Sequence, residues 1–454
     1  MSGAITQIVA VGAQDYFLTG APEITFFKSM HKRHTPFAME SIQQTFNGTA
    51  DFGRRVTCTI ARSGDLVHEI TLEVELPEIT PAVSGRWTDD VGHHLIEYVE
   101  LEIGSQRIDR HFGDWFQIWS ALTVNTNKRS TYNRMIGKTN ALCDFNRDVK
   151  PRTKLYVPLL FYFCRHVGQS LPLIALQYHE VKINLSLRPI ETLWISADSN
   201  GRVDDTIRRQ SLLECTLWAD YVFLDTNERR AFAQNTHEYL IEQLQINEEA
   251  ITMTSFKFRL SFNHPSKFLV WVVQKDSHIG TPGVETGVSN QWSNYQLDAF
   301  DIFTTPFTEY NAPLYGGVGG NFSTTAGVTV NNRDGNPTLS AKLQLNGQDR
   351  FAQREGSYFN LLQIYQRFDV CPDSQGICVY SFALRPAEQQ PTSTINFSRI
   401  DNAILNLNVH PGVFVSVNPV DYTTSITQAR VRVYTVNDNV LRMMNGMAGT
   451  AYAN

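Results

Sequence analysis

The 454-residue sequence has no long hydrophobic run. Its longest uncharged apolar block, residues 155–164, is far short of the ~20 residues a membrane helix needs. The opening MSGAITQIVAVGAQDY has no basic leader, so neither secretion nor membrane insertion is expected. An excess of positive charge is missing too. The net charge is −6, which leaves no overall field to draw in nucleic acid, whose binding rests on neutralising phosphates. Cysteine is sparse: Cys58, Cys143, Cys164, Cys215, Cys371 and Cys378 are scattered, and only the last two lie close together. Their gap is wider than that of a zinc knuckle, so all six are read as reduced core residues, with Cys58, Cys164 and Cys215 in strand-like apolar surroundings.

Catalytic signatures are absent as well. The glycines of 316–320 lack the Gly-Lys-Ser/Thr ending and the strand-to-helix setting that cradle a phosphate. There is no G-x-S-x-G and no H-E-x-x-H, while His179-Glu180 and His237-Glu238 stand as lone dipeptides. His93 and His94 are adjacent, and neighbours on a strand point to opposite faces, which spoils a barrel metal site. No catalytic residue, metal or cofactor is therefore expected. A jelly-roll lectin or a cupin-like metal-dependent enzyme is the competing reading, since the same sandwiches host both.

What is present is a turn-rich β pattern. Charged residues make up only 19%, with 28 glycines and 18 prolines to supply turns, a balance that disfavours helical bundles and disorder. Within 376–409, GICVYSFALRPAEQQPTSTINFSRIDNAILNLNV, an apolar run is stopped by Arg385-Pro386 and followed by alternation at Ala403, Leu405, Leu407 and Val409. Residues 157–187 match 379–409 without a gap, with Val181, Ile183, Leu185 and Leu187 in the alternating positions. A second pair lies upstream. Gly104, Arg107, Gly113 and Phe116 have the spacing of Gly347, Arg350, Gly356 and Phe359. A helical period follows each: Trp115, Ile118, Trp119, Leu122 in one copy and Tyr358, Leu361, Leu362, Tyr365 in the other. The same features in the same order, twice, indicate a duplicated domain.

The stretches 56–76 and 256–273 each read as a hairpin, the first turning at Arg62-Ser-Gly-Asp65 and the second at Asn263-His-Pro-Ser266. The second strand of the latter is apolar almost throughout, which predicts burial on both faces. The fold class expected from these patterns is all-β, in two duplicated domains. The division expected is an N-terminal arm over 1–22, a first barrel over 23–224, a polar linker over 225–236, a second barrel over 237–436 and a C-terminal tail over 437–454. The second barrel would carry a long surface loop over 275–340. Few core contacts should cross the linker, so the second barrel should fold alone. Lys28, Lys32 and Arg33 form a basic run just after the arm, able to meet an anionic lipid or an acidic neighbour. Asn-x-Ser/Thr triplets occur at Asn47, Asn184, Asn321 and Asn396; Asn321, in the loop, and Asn47 are the candidates for sugar attachment.

Four separated stretches then point to a family. VGAQDYFLTGAPEITFFKSMHKRHTPFAMESIQQTFNGTADFG, DTNERRAFAQNTHEYLIEQLQ, YSFALRPAEQQPTSTINFSRIDNAILNL and NVLRMMNGMAGTAYAN resemble hallmarks of the major capsid proteins of nucleocytoplasmic large DNA viruses, above all those of algal viruses. The resemblance runs over nearly the whole chain and departs mainly in 275–340. It implies that the two copies are tandem eight-stranded antiparallel jelly-roll barrels in one chain, and that the chain forms a homotrimer, a pseudo-hexagonal capsomer. Such capsomers would pave the icosahedral outer shell of a virion assembled in the host cytoplasm, over an internal membrane. It also implies neighbouring capsomers, minor capsid proteins and the inner membrane surface as partners of the inner-face candidates Lys28, Lys32 and Arg33, with no direct nucleic-acid contact. The 275–340 loop would face outward and the arm inward. Glycosylation in such viruses need not follow the Asn-x-Ser/Thr rule.

Overall fold

The structure is a computed structural model, and it describes residues 12–14, 34–82, 84–196, 205–279, 290–296, 321–323, 329–331, 335–372, 374–417, 424–426 and 428–452. In the first half the principal strands are β1 (Phe37–Gln44), β2 (Arg55–Thr59), β3 (Leu66–Leu76), β4 (Ile96–Ile103), β5 (Gln106–Phe112), β6 (Thr153–Pro158), β7 (Val181–Leu187) and β8 (Glu214–Leu224). They form two antiparallel sheets, ordered β1-β8-β3-β6 and β2-β7-β4-β5. The second half supplies β9 (His237–Ile251), β10 (Ser255–Leu260), β11 (Pro265–Lys275), β12 (Thr338–Leu345), β13 (Gln348–Asp349), β14 (Cys378–Ser381), β15 (Ala403–Val409) and β16 (Ala429–Met444). Its sheets run β9-β16-β11-β14 and β10-β15-β12-β13, the same interleaving once more. Two sheets that exchange strands in this order make a jelly roll, so the chain is a double jelly roll.

The alternating runs build the cores. Val181, Ile183, Leu185 and Leu187 of β7 pack into the first core, and Ala403, Leu405, Leu407 and Val409 of β15 pack into the second. At these two strands the ungapped sequence match is also a structural match, residue for residue. Gly113 and Gly356 have a common physical reason. A Cβ on Gly113 would lie 2.4 Å from the Ile96 carbonyl oxygen, and one on Gly356 1.8 Å from that of Thr338. Ile96 and Thr338 open β4 and β12, so in both barrels a helix begins directly against the first carbonyl of the same strand.

Several expectations are corrected. The two supposed hairpins are arches between sheets: β2 pairs β7 while β3 pairs β8 and β6, and β10 pairs β15 while β11 pairs β16 and β14. An alternating strand, a turn and another alternating strand look the same whether the second strand pairs with the first or crosses the core to face it. The ungapped match slips at β6 and β14. Val157 points into the first core opposite Leu72, whereas Val379 lies on the outer side opposite Val270 and Cys378 takes the inward place. The tight turns differ by one position as well: Gly104-Ser105 in one barrel and Asn346-Gly347 in the other both have positive φ, and the β4-β5 pair of the first barrel carries a bulge at Leu101/Glu102.

The 225–236 linker is mostly a helix, Thr226–Gln234. The supposed tail over 437–454 is largely strand: β16 runs on to Met444, turns, and pairs with β17 (Met447–Thr450). Its Leu441, Met443 and Ala448 belong to the core cluster of the first barrel, as does Ile241 of β9. Core contacts therefore do cross between the halves. Sequence periodicity shows that a strand is half-buried but not which barrel buries it.

Candidate assembly surfaces

The two barrels meet through a helix. Four short or medium helices matter here: α1 (Val91–Leu95), α2 (Gly113–Thr123), α3 (Thr126–Met135) and α4 (Thr226–Gln234). In α2, Phe116 turns into the first core, while Trp115, Ile118, Trp119 and Leu122 form a stripe facing away from it. That stripe seats on the outer face of the β9-β16-β11-β14 sheet, against Phe268, Val270, Tyr434 and Val436. The Trp115 and Tyr434 rings lie 5.4 Å apart, and those of Trp119 and Phe268 6.3 Å. Burial of β11 on both faces follows, since the second core covers one side and α2 the other.

Polar groups pin this apolar seam at both ends. Asp114, in the first turn of α2, lies 2.9 Å from Nη1 of Arg432 on β16 and 3.6 Å from Arg188 Nη2. His94 Nδ1 of α1 approaches it at 3.4 Å. Burial opposes the charge on Asp114, but the two guanidiniums outweigh that penalty and hold its carboxyl below the usual carboxylate range. Arg432 also donates to Gln274 Oε1 at 2.9 Å. At the other end Glu242 of β9 accepts from Arg165 of the first barrel and from Lys267 of β11. Asp438 lies 3.6 Å from Lys267, and burial, with Glu242 nearby, pushes its carboxyl up to about 6. Leu244 N–H donates to Asp109 Oδ1 at 3.0 Å, tying β9 to β5. Buried pairs of this kind add little net stability against an apolar equivalent, but losing one partner is costly; they fix the register of one barrel on the other.

The sequence candidates fall elsewhere. Lys28, Lys32 and Arg33 lie outside the described residues, as do the glycines of 316–320. Asn321 opens the short strand Asn321–Ser323, and its side chain is likewise outside them. Asn47 is exposed, bridged to Thr57 through its backbone N–H. Asn184 is engaged instead, accepting from Thr57 Oγ1 and donating to Glu102. His93 and His94 sit on α1 rather than on a strand; His93 binds the Tyr132 hydroxyl at 2.8 Å, and burial lowers its pKa to about 3. All six cysteines are unpaired. Burial lifts the Cys58 thiol to about 11 and that of Cys378 to about 12, whereas Cys371 is exposed, contrary to a core reading. Among the described residues no group of three or more His, Cys, Asp or Glu is placed to hold a metal ion, and no helix is long and apolar enough to cross a membrane.

Sequence reasoning found the helical period of α2 but not its partner sheet. The signal available was the placement of single charged residues inside apolar runs: Asp114 ahead of Trp115-Phe116, and Arg432 between Val431 and Val433.

Residues 25–225 match the family model for the major capsid protein N-terminus, and residues 228–449 match that for the large eukaryotic DNA virus major capsid protein. The chain belongs to the major capsid proteins of large eukaryotic DNA viruses. Curated major capsid proteins agree over their full length: that of Phaeocystis pouchetii virus is 46% identical and that of Paramecium bursaria Chlorella virus 1 is 41% identical, each covering 100% of both chains. The crystal structure of PBCV-1 VP54, fitted into a reconstruction of the virophage Sputnik, superposes with a TM-score of 0.74 at 38% identity, over 95% of this chain and 100% of that one. The Faustovirus major capsid protein shares the fold, with a TM-score of 0.70 at 12% identity over 93% of each chain. A major capsid protein is a structural component of the virion, and its work is association with copies of itself and with its neighbours in the shell.

Proposed function

We propose that three copies of this major capsid protein form a homotrimeric, pseudo-hexagonal capsomer, and that such capsomers tile the icosahedral outer shell. The observation that carries the reading is the repeat of one strand order in two barrels locked together by α2. Two like barrels per chain give three chains a near-hexagonal outline, and hexagons tile a facet without gaps. A seam pinned at Asp114 and Glu242 keeps the two barrels at one fixed angle, which a tile requires.

In this arrangement residues 1–22 lie on the inner side with Lys28, Lys32 and Arg33 nearby, where minor capsid proteins or the inner membrane are the partners. The part of 275–340 around Asn321 faces outward, with Asn321 a sugar-attachment candidate and Asn47 a second. Residues 290–296 are instead largely buried against the first barrel, contrary to a surface loop throughout, with Asn290 donating to the Trp194 carbonyl at 2.9 Å. The barrels themselves span 23–224 and 237–436, extended by the C-terminal hairpin. The protein works without catalysis, and particles assemble in the host cytoplasm. Negative-stain microscopy of the purified full chain tests the tile: threefold particles with a hexagonal outline are expected, and a field of single chains would contradict it.

A further inference from the structure

The ion-pair cluster at the Glu242 end of the seam carries more chemistry than fixing a register needs. Glu242 of β9 and Asp438 of β16 lie directly opposite each other in the sheet. On the other side of β16, its pairing with β11 shifts register between Ser266 and Phe268, which makes Lys267 the extra residue of a β-bulge. Strict alternation would send Lys267 and Phe268 to opposite faces. The bulge turns both to the seam, Phe268 against α2 and Lys267 against Glu242 and Asp438. One amine and two carboxyls therefore meet on three adjacent strands, and Lys267, Asp438 and Glu242 are only 1%, 8% and 4% exposed.

The two carboxyls are not alike. Glu242 accepts from Lys267 Nζ on one oxygen and from Arg165 on the other. Asp438 Oδ1 is buried without a hydrogen-bond partner, with Lys267 Nζ 3.6 Å away. The amine is held from a further side by the Glu388 carbonyl at 3.3 Å. The charged groups facing Asp438 are Lys267, Glu242 and Arg165, and burial outweighs the two cations, so this acid keeps its proton more readily than an ordinary aspartate. A protonated carboxyl is open to attack by an amine where a carboxylate is not. Beside Glu242 lies a cavity of about 10 Å³, lined by Asp109, Trp119, Arg165 and Val436, which is room for a single water.

We propose that Lys267 and Asp438 join through a spontaneous isopeptide bond, with Glu242 as the proton carrier. The Lys267 ammonium gives a proton to Glu242, and the freed lone pair forms a C–N bond at the Asp438 carboxyl carbon. A second proton passes from the nitrogen to the departing hydroxyl, the C–O bond breaks, and one water leaves. Glu242 then releases its proton to solvent. Nothing is oxidised or reduced. Holding the reacting groups together in a site that excludes bulk water supplies the effective concentration that such a condensation lacks in solution. The bond links neighbouring strands whose residues lie far apart in the sequence, and closing a long loop is where a covalent link restricts the unfolded chain most. It also clamps β16, the strand that runs on to place Leu441 and Met443 in the first core. The reacted chain has no Asp438 carboxyl to titrate, so its raised pKa belongs to the folded chain before reaction.

The test follows the intact mass of the full folded chain over days near the Asp438 midpoint, about pH 6, and then digests it. The wild type is expected to lose the mass of one water, with the peptides holding Lys267 and Asp438 recovered as one branched species, while chain kept unfolded in urea should not react. Lys267→Arg and Asp438→Ala should keep their full mass, and Glu242→Gln should react about 100-fold more slowly. The wild-type measurement decides the matter alone if a variant fails to fold. A folded wild type that keeps its full mass, with Lys267 and Asp438 in separate peptides, would overturn the bond. So would a water loss confined to the Asp438 peptide, which marks a cyclic imide. Glu242→Gln reacting at the wild-type rate would overturn the part given to Glu242.

Discussion

The two barrels share a strand order and differ in what covers them. In the second barrel the outer face of the β9-β16-β11-β14 sheet is buried under α2 and anchored by the Asp114 and Glu242 ion pairs. In the first, the matching face is partly in water. The difference teaches that duplication alone does not make a stable pair. Within a single chain the apolar stripe of α2 is covered, whereas its counterpart in the second barrel keeps Leu361, Leu362 and Tyr365 in water.

The internal seam should therefore be sensitive to substitution where the equivalent positions on the second helix are not. Asp114→Ala leaves two guanidiniums buried without their carboxylate and should cost about 3–5 kcal/mol in urea unfolding, whereas Ser357→Ala at the matching position should stay within about 0.5 kcal/mol. Trp119→Ala should cost about 3–5 kcal/mol, while Leu362→Ala, exposed in the single chain, should leave unfolding almost unchanged and weaken association instead. Equal costs at either pair would break the comparison. Gly113→Ala and Gly356→Ala sharpen it from the other side. Both add a methyl against a strand carbonyl, and both should destabilise by about 1–3 kcal/mol, because this contact lies inside each barrel rather than between them.

The smallest effect expected is a pH signature. Asp114 has its folded pKa below the unfolded value, so its contribution is present above the ordinary carboxylate range and is lost only as the pH falls through the lower, folded value. Asp438 is the reverse. Its folded value of about 6 lies above the unfolded one, so its contribution is complete below about pH 4 and is lost as the pH rises through about 6. Urea midpoints across that window should fall for the wild type relative to Asp438→Asn as pH rises. Parallel curves would mean that Asp438 is ordinary in the folded state.

Much of the fold was legible because jelly-roll strands expose one face and bury the other. The alternation of Val181 to Leu187 and of Ala403 to Val409 located the same strand twice, and the paired glycines located the same helix start twice. What period-2 patterning cannot convey is which sheet a strand joins, and so 56–76 and 256–273 read as hairpins. Nor can it convey which barrel buries an apolar side chain, and so Leu441 and Met443 read as a tail. The assembly surfaces were less legible still. Leu122 and Tyr365 look alike in the sequence, and only the fold shows that one is covered and the other bare.

Light scattering of the full chain over a wide range of dilution tests the central claim, that this half-covered pair of barrels is completed by copies of itself. A constant mass of about 155 kDa, three times the 51.5 kDa chain, at low and at high salt is the predicted result, because the contact is mainly apolar and salt screens only its charged rim. A constant mass of 51.5 kDa under mild conditions would contradict it.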